Sequence, residues 1–170
     1  MKKEYMEYIK EEASKYFYIP TWQEIPNIEL YLDQVVTLLE EYLRPFSLEP
    51  EDKVITKTMI NNYVKQNIIS APVNKKYNKE QVAMLFVICI LKQVYSINDI
   101  SRLIKLSFKN NEPHVAYTKF SNELRIAIEE IFEEKKRDDK PKEKAEQIIL
   151  QNVVDSFVSK LYVRKEFLYK

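Results

Sequence analysis

Apolar and polar residues follow a helical period along nearly the whole chain. Strict alternation, the mark of half-buried strands, is rare. Residues 3–17 carry aromatic and aliphatic side chains at helical spacing. Pro20 and Pro26 bracket an extended piece, in which Trp22 is expected to anchor the chain to the core. Asn27 reads as the N-cap of a helix running to about Leu43. Its apolar residues Ile28, Leu32, Val35, Leu39 and Tyr42 fall on one helical face.

After a loop at residues 44–54 with two prolines, Thr56 is the expected N-cap of a helix over residues 57–66. Residues 68–77 form a short connector or wing. Asn78 then opens a capping box with Gln81. The helix it starts runs to about Val94 and is apolar nearly all round ("VAMLFVICIL"), so it should lie at the centre of the core. Ser96, with Asp99 three residues on, starts a short helix, and a loop at 107–113 ends at Pro113.

A longer helix to about Glu134 places Tyr117, Phe120, Leu124, Ala127 and Ile131 on one face. A charged break with Pro141 separates it from a last helix, about residues 143–168, with Ile149, Val153, Phe157 and Leu161 in line. The faces of these two helices must close on the main domain, on each other or on a second subunit. The expected fold is therefore all-α, with three parts. Residues 1–19 are an N-terminal helical segment and 20–112 a helical domain. Residues 113–170 are C-terminal helices that close the core or make a homodimer.

Composition narrows the function. At 45% hydrophobic and 31% charged residues the chain is of the ordinary soluble globular kind. It has no run of about 18 apolar residues, so no membrane span is expected. The N-terminal stretch lacks the apolar core of a secretory signal. The single Cys89 suits a reducing cytoplasm.

Glycine is absent from the chain, which excludes the Gly-rich phosphate loop, the dinucleotide fingerprint and the nucleophile elbow. One His and one Cys cannot build a structural zinc site. His114, after Pro113, reads as a surface or capping residue. The carboxylate pairs Glu40-Glu41, Glu129-Glu130 and Glu133-Glu134 read as solvated helix faces. The expectation is a protein that is not an enzyme and holds no cofactor or metal.

Charge is unevenly distributed. Residues 1–52 hold 5 basic and 12 acidic side chains, whereas residues 53–111 hold 10 basic and 2 acidic. From Lys53 to Lys79 there are six lysines and no acid. Such a patch points to an anionic partner, or else to internal pairing with the acidic N-terminal region.

The helix in "ITKTMINNYVKQNII" separates these functions by face. At about 100° per residue, Thr58, Asn61, Asn62 and Lys65 share one arc, and Met59, Ile60, Tyr63 and Val64 fill the other. Amides, a hydroxyl and an ammonium without any acid suit the major groove of double-stranded DNA, where Asn reads adenine. Local bonds from Asn61 and Asn62 to the backbone would instead make them structural.

The segment from about Ile55 to Ile104 resembles the winged-helix domain of MerR-type transcription regulators. The residues that carry the resemblance are Tyr63, the exit Asn67-Ile68-Ile69, Pro72, Tyr77, Asn78-Lys79-Glu80, Leu85, Ile88, Leu91 and Ser96-Ile97-Asn98-Asp99-Ile100. Asn67 stands where the family has a glycine in a left-handed conformation, which Asn tolerates best after glycine. The wing "VNKKY" is short, and Asn61 stands where the family has an arginine.

"IPNIELYLDQV", "ITKTMINNYVKQNII" and "KKYNKEQVAMLFVICILKQVYSINDI" also resemble, over residues 20–125, an uncharacterised bacterial family, domain of unknown function eighteen-thirty-six. Together the resemblances imply a bacterial, cytoplasmic transcription regulator with a MerR-like helix-turn-helix and a reduced wing. Thr58, Asn61, Asn62 and Lys65 would then face the groove, and Lys57, Lys75, Lys76 and Tyr77 would meet phosphates. A dimer would set two such helices about 34–36 Å apart. The alternative is a helical protein-interaction adaptor without DNA binding. The sequence names no small-molecule effector.

Overall fold

A computed structural model describes residues 7, 12–49, 51–138 and 144–168. The expected N-terminal helix falls partly outside these; residues 12–16 are helical. Residues 18–21 have no regular secondary structure, and the piece expected to be extended turns at residues 22–24, where the Glu24 and Ile25 N–H groups donate to the Thr21 carbonyl; Ile19 and Ile25 are buried. Tyr117 donates its hydroxyl to the Pro20 carbonyl at 2.6 Å, and the Trp22 ring lies 6.2 Å from Tyr117.

Strand β1 is Leu30–Tyr31, and helix α1 is Leu32–Leu43. The helix thus starts four residues later than an N-cap at Asn27 predicts. Leu30 and Tyr31 pair instead with a second strand, and Gln34 accepts the Tyr31 N–H at 2.9 Å. Ile28 is left 70% exposed rather than on the core face, while Val35 and Leu39 are buried as spaced.

Helix α2 is Lys57–Lys65, strand β2 is Lys76–Tyr77, and helix α3 is Lys79–Leu91. The Asn78 side chain accepts the Gln81 N–H at 2.9 Å, and the Gln81 side chain accepts the Asn78 N–H at 2.8 Å. Both halves of the capping box are present. Helix α3 is buried on nearly every side because α1 and the two last long helices pack around it.

Helix α4, Ile97–Asn110, is capped by Ser96, whose hydroxyl accepts the Asp99 N–H at 3.1 Å. It extends through residues 107–110, where the sequence pattern predicted loop. Helix α5 is Pro113–Phe132, and helix α6 is Ala145–Val163, continued by a π-helical turn over Arg164–Leu168. Helices α5 and α6 pack on each other and on α3.

One core joins all of this. Phe17 contacts Phe46 and Phe132, and Phe46 contacts Phe157, so the N-terminal segment, the short 3-10 turn Arg44–Phe46 after α1, α5 and α6 share an aromatic cluster. Arg137 reinforces it. It pairs with Glu123, with Glu130 at 2.8 Å and with Asp155 at 2.8 Å, which ties the charged segment after α5 back onto α5 and α6. The architecture is mostly helical, with one two-stranded antiparallel sheet among the described residues. No helix among them is long and apolar enough to cross a membrane.

Candidate nucleic-acid interface

Thr56 caps α2: its hydroxyl accepts the Met59 N–H at 3.2 Å. The residues just before it are clamped from both sides. Glu40 on α1 accepts the Ile55 N–H at 3.0 Å, and Lys92, at the end of α3, donates to the Val54 carbonyl. Sequence spacing gives no hint of either contact, since they span 15 and 38 residues.

Ile60 and Tyr63 hold the inner face of α2 in the core. Each such burial contributes about 1.5–3 kcal/mol. Burial pushes the Tyr63 phenol up to about 12, with a further contribution from neighbouring Cys89. Burial likewise pushes the Cys89 thiol up to about 12, which leaves it unreactive at neutral pH.

The helix ends in a Schellman motif. Ile68 N–H donates to the Tyr63 carbonyl at 3.0 Å, and Asn67 N–H to the Val64 carbonyl at 3.0 Å. Asn67 has φ 54°, the left-handed conformation expected at this exit.

The wing is a hairpin built without glycine. Val73 and Lys76 exchange backbone hydrogen bonds of 3.1 and 2.9 Å across Asn74 and Lys75, whose φ angles are 49° and 63°. Two central residues at positive φ make a type I′ turn, the one that matches strand twist. Lys76 and Tyr77 then pair with Tyr31 and Leu30 of β1. Buried Gln81 donates to the Ser70 carbonyl at 2.9 Å and so ties the base of the wing to the start of α3. Sequence reading gave Gln81 only its capping role.

Thr58, Asn61, Asn62 and Lys65 are all exposed on α2. None of these four side chains has a hydrogen-bond or ion-pair partner among the described residues, so the two amides are not spent on local backbone bonds. Lys75 is exposed at the wing tip and likewise unpaired. Lys57 is exposed but pairs with Asp33 in the first turn of α1. Lys76 is half-buried, with its ammonium 5.1 Å from the centre of the Tyr31 ring.

Tyr77 corrects an expectation. It is 2% exposed and belongs to the core, and burial raises its pKa, so its ring offers nothing to a phosphate. Its strand pairing with Leu30 turns the side chain inward while Lys76 stays near the surface. Among the described residues, Lys57–Asp33 is the single ion pair joining the basic stretch 53–111 to the acidic stretch 12–52. No group of His, Cys, Asp and Glu among them is placed to hold a metal ion.

No curated protein and no solved structure matches the chain. A family model described as a domain of unknown function (DUF1836) matches residues 20–120, more than half of the 170-residue chain, and this span contains β1, α1, α2, the wing, α3 and α4. The chain belongs to that family.

Proposed function

We propose that the protein is a DNA-binding transcription regulator of MerR-like helix-turn-helix type, with α2 in the major groove of double-stranded DNA. One observation carries the reading. Thr58, Asn61, Asn62 and Lys65 form an exposed, acid-free face with no partners of their own among the described residues. A solvated face would mix in carboxylates, as the rest of this chain does. Asn61 and Asn62 would read adenine edges, and Lys65 and Thr58 would meet phosphate or guanine.

Lys75 at the wing tip would meet a flanking phosphate, with Lys76 beside it and Lys57 once released from Asp33. The left-handed exit at Asn67 and the short hairpin over residues 73–76 support the reading. Two copies in a homodimer would present two such helices about 34–36 Å apart to successive grooves.

Binding to mixed duplex DNA should fall steeply with salt, as phosphate contacts release counterions. Asn61→Ala should relax sequence preference, and Lys65→Ala should weaken binding to all sequences alike. Absence of binding by the folded protein even near 50 mM salt would overturn the reading.

A second reading is an adaptor that docks on protein. Ile28 at 70%, Tyr31 at 52% and Val73 at 66% leave the outer side of the small sheet apolar and exposed. Loss of a protein partner on Val73→Asp, with no DNA binding in the parent chain, would favour it.

A further inference from the structure

Helix α4 is the least buried of the long helices. Of its apolar side, Ile100 alone is fully buried, and Phe108 is 37% exposed. Leu103, Ile104, Leu106 and Phe108 line an open cavity of about 190 Å³ between α3, α4, α5 and α6. Its walls include Met84 and Val87 from α3, Leu103 and Ile104 from α4, Phe120 from α5 and Leu150 from α6. An apolar cavity of roughly 150 Å³ already accepts a benzene ring.

The rim is polar and specific in its charges. Lys119 and Lys144 line it, and neither has a carboxylate partner among the described residues. Lys119 donates to the Asn111 side-chain oxygen. Of the two rim carboxylates, Glu146 is taken up by the Asn110 amide, and Glu80 is exposed in the first turn of α3.

The geometry points to a binding site for a small amphipathic anion: an apolar body of about one substituted ring, carrying a carboxylate that meets Lys119. The ring displaces water from the walls, and the ammonium, held in place by Asn111, meets the charge at the mouth. The ligand closes α4 onto α5 and α6, so occupancy stiffens a helix that otherwise packs poorly. The site stands whether or not α2 binds DNA.

The probes are 4-ethylbenzoate, its methyl ester and glutarate, followed by calorimetry and by amide chemical shifts on the full chain. The expected result is a dissociation constant of about 10 μM to 1 mM for 4-ethylbenzoate, with shifts in α4 and α6. The ester should bind at least about tenfold more weakly, and glutarate should not bind, a gap of about 1.4 kcal/mol or more. Leu103→Trp, which fills the cavity from a half-buried position, should abolish binding. Lys119→Gln keeps a partner for Asn111 and should weaken the carboxylate but not the ester. Should Leu103→Trp fail to fold, Met84→Trp takes its place. Absence of binding at several times the upper limit, binding that survives the cavity-filling change, or equal affinity for acid and ester would each overturn the proposal.

Discussion

The carboxylate of Glu40 accepts the backbone N–H of Ile55 at 3.0 Å, one residue before the cap of α2. On the other side of the same peptide, Lys92 donates to the Val54 carbonyl. Two opposite charges from α1 and α3 thus satisfy one peptide group and fix where α2 begins. Glu40→Ala should destabilise the fold by about 1–3 kcal/mol, because a part-buried N–H loses its charged acceptor. Glu40→Gln retains an acceptor oxygen and should cost less. Denaturant unfolding measures the difference, and amide exchange at Ile55 and Met59 locates it. Equal stability of Glu40→Ala and the parent chain would show that the clamp does not hold the helix.

The Lys57–Asp33 pair restrains the basic face. Both side chains are well exposed, so the pair itself adds little stability. Asp33→Asn should leave unfolding unchanged within about 0.5 kcal/mol. It should tighten duplex binding several-fold and steepen the log–log salt slope by about 0.9, one phosphate contact. In a Lys57→Gln background the gain should vanish. A gain that persists there would reflect general charge, not Lys57.

Lys75 sits at φ 63° in the wing turn. A residue with a β-carbon in that region costs roughly 1–2 kcal/mol, partly offset in the Gly variant by greater freedom of the unfolded chain. Asn-Gly is the preferred pair for a type I′ turn. Lys75→Gly should therefore raise the melting temperature by about 2–4 °C for each kcal/mol gained. If the proposed DNA-binding role holds, it should also weaken duplex binding by removing the Lys75 charge. A lower melting temperature would mean that the turn is held by something other than its backbone conformation.

Glu133, just after α5, gives a pH dependence. Burial opposes its charge, but hydrogen bonds from Lys135 and from Ser14, whose N–H it accepts at 2.7 Å, outweigh that and hold it below the ordinary carboxylate value. A carboxylate with a depressed folded-state pKa binds fewer protons folded than unfolded in the window between the two values. Its contribution is thus fully present above the unfolded pKa of about 4.3 and is lost as pH falls through the lower folded value. Unfolding free energy should drop over that acid window, and Glu133→Gln should flatten this part of the profile. An unchanged acid slope in the variant would assign the loss to other carboxylates.

Much of the local structure was legible because its causes lie within a few residues. Thr56, Asn78 and Ser96 are caps in sequence and caps in space. The left-handed exit at Asn67 is what the resemblance implied at that position, and Asn tolerates it best after glycine. The split of α2 into an inner face of Ile60 and Tyr63 and an outer face of Thr58, Asn61, Asn62 and Lys65 follows from the helical period alone. Asn27 misled because a good cap is only a local preference. The pairing of Leu30 and Tyr31 with a wing some 45 residues away took those backbone groups first.

The sequence by itself thus determined the caps of α2, α3 and α4 and the two faces of α2, since each depends on neighbours within one or two turns. The tertiary structure alone decided which of the marked residues are available. It buried Tyr77, set Asp33 against Lys57, laid Lys76 over the Tyr31 ring, and placed the Glu40–Lys92 clamp ahead of α2. It also left the cavity beneath α4, which no single helix encodes. These are contacts between elements, and their existence depends on how the helices pack rather than on the spacing within any one of them.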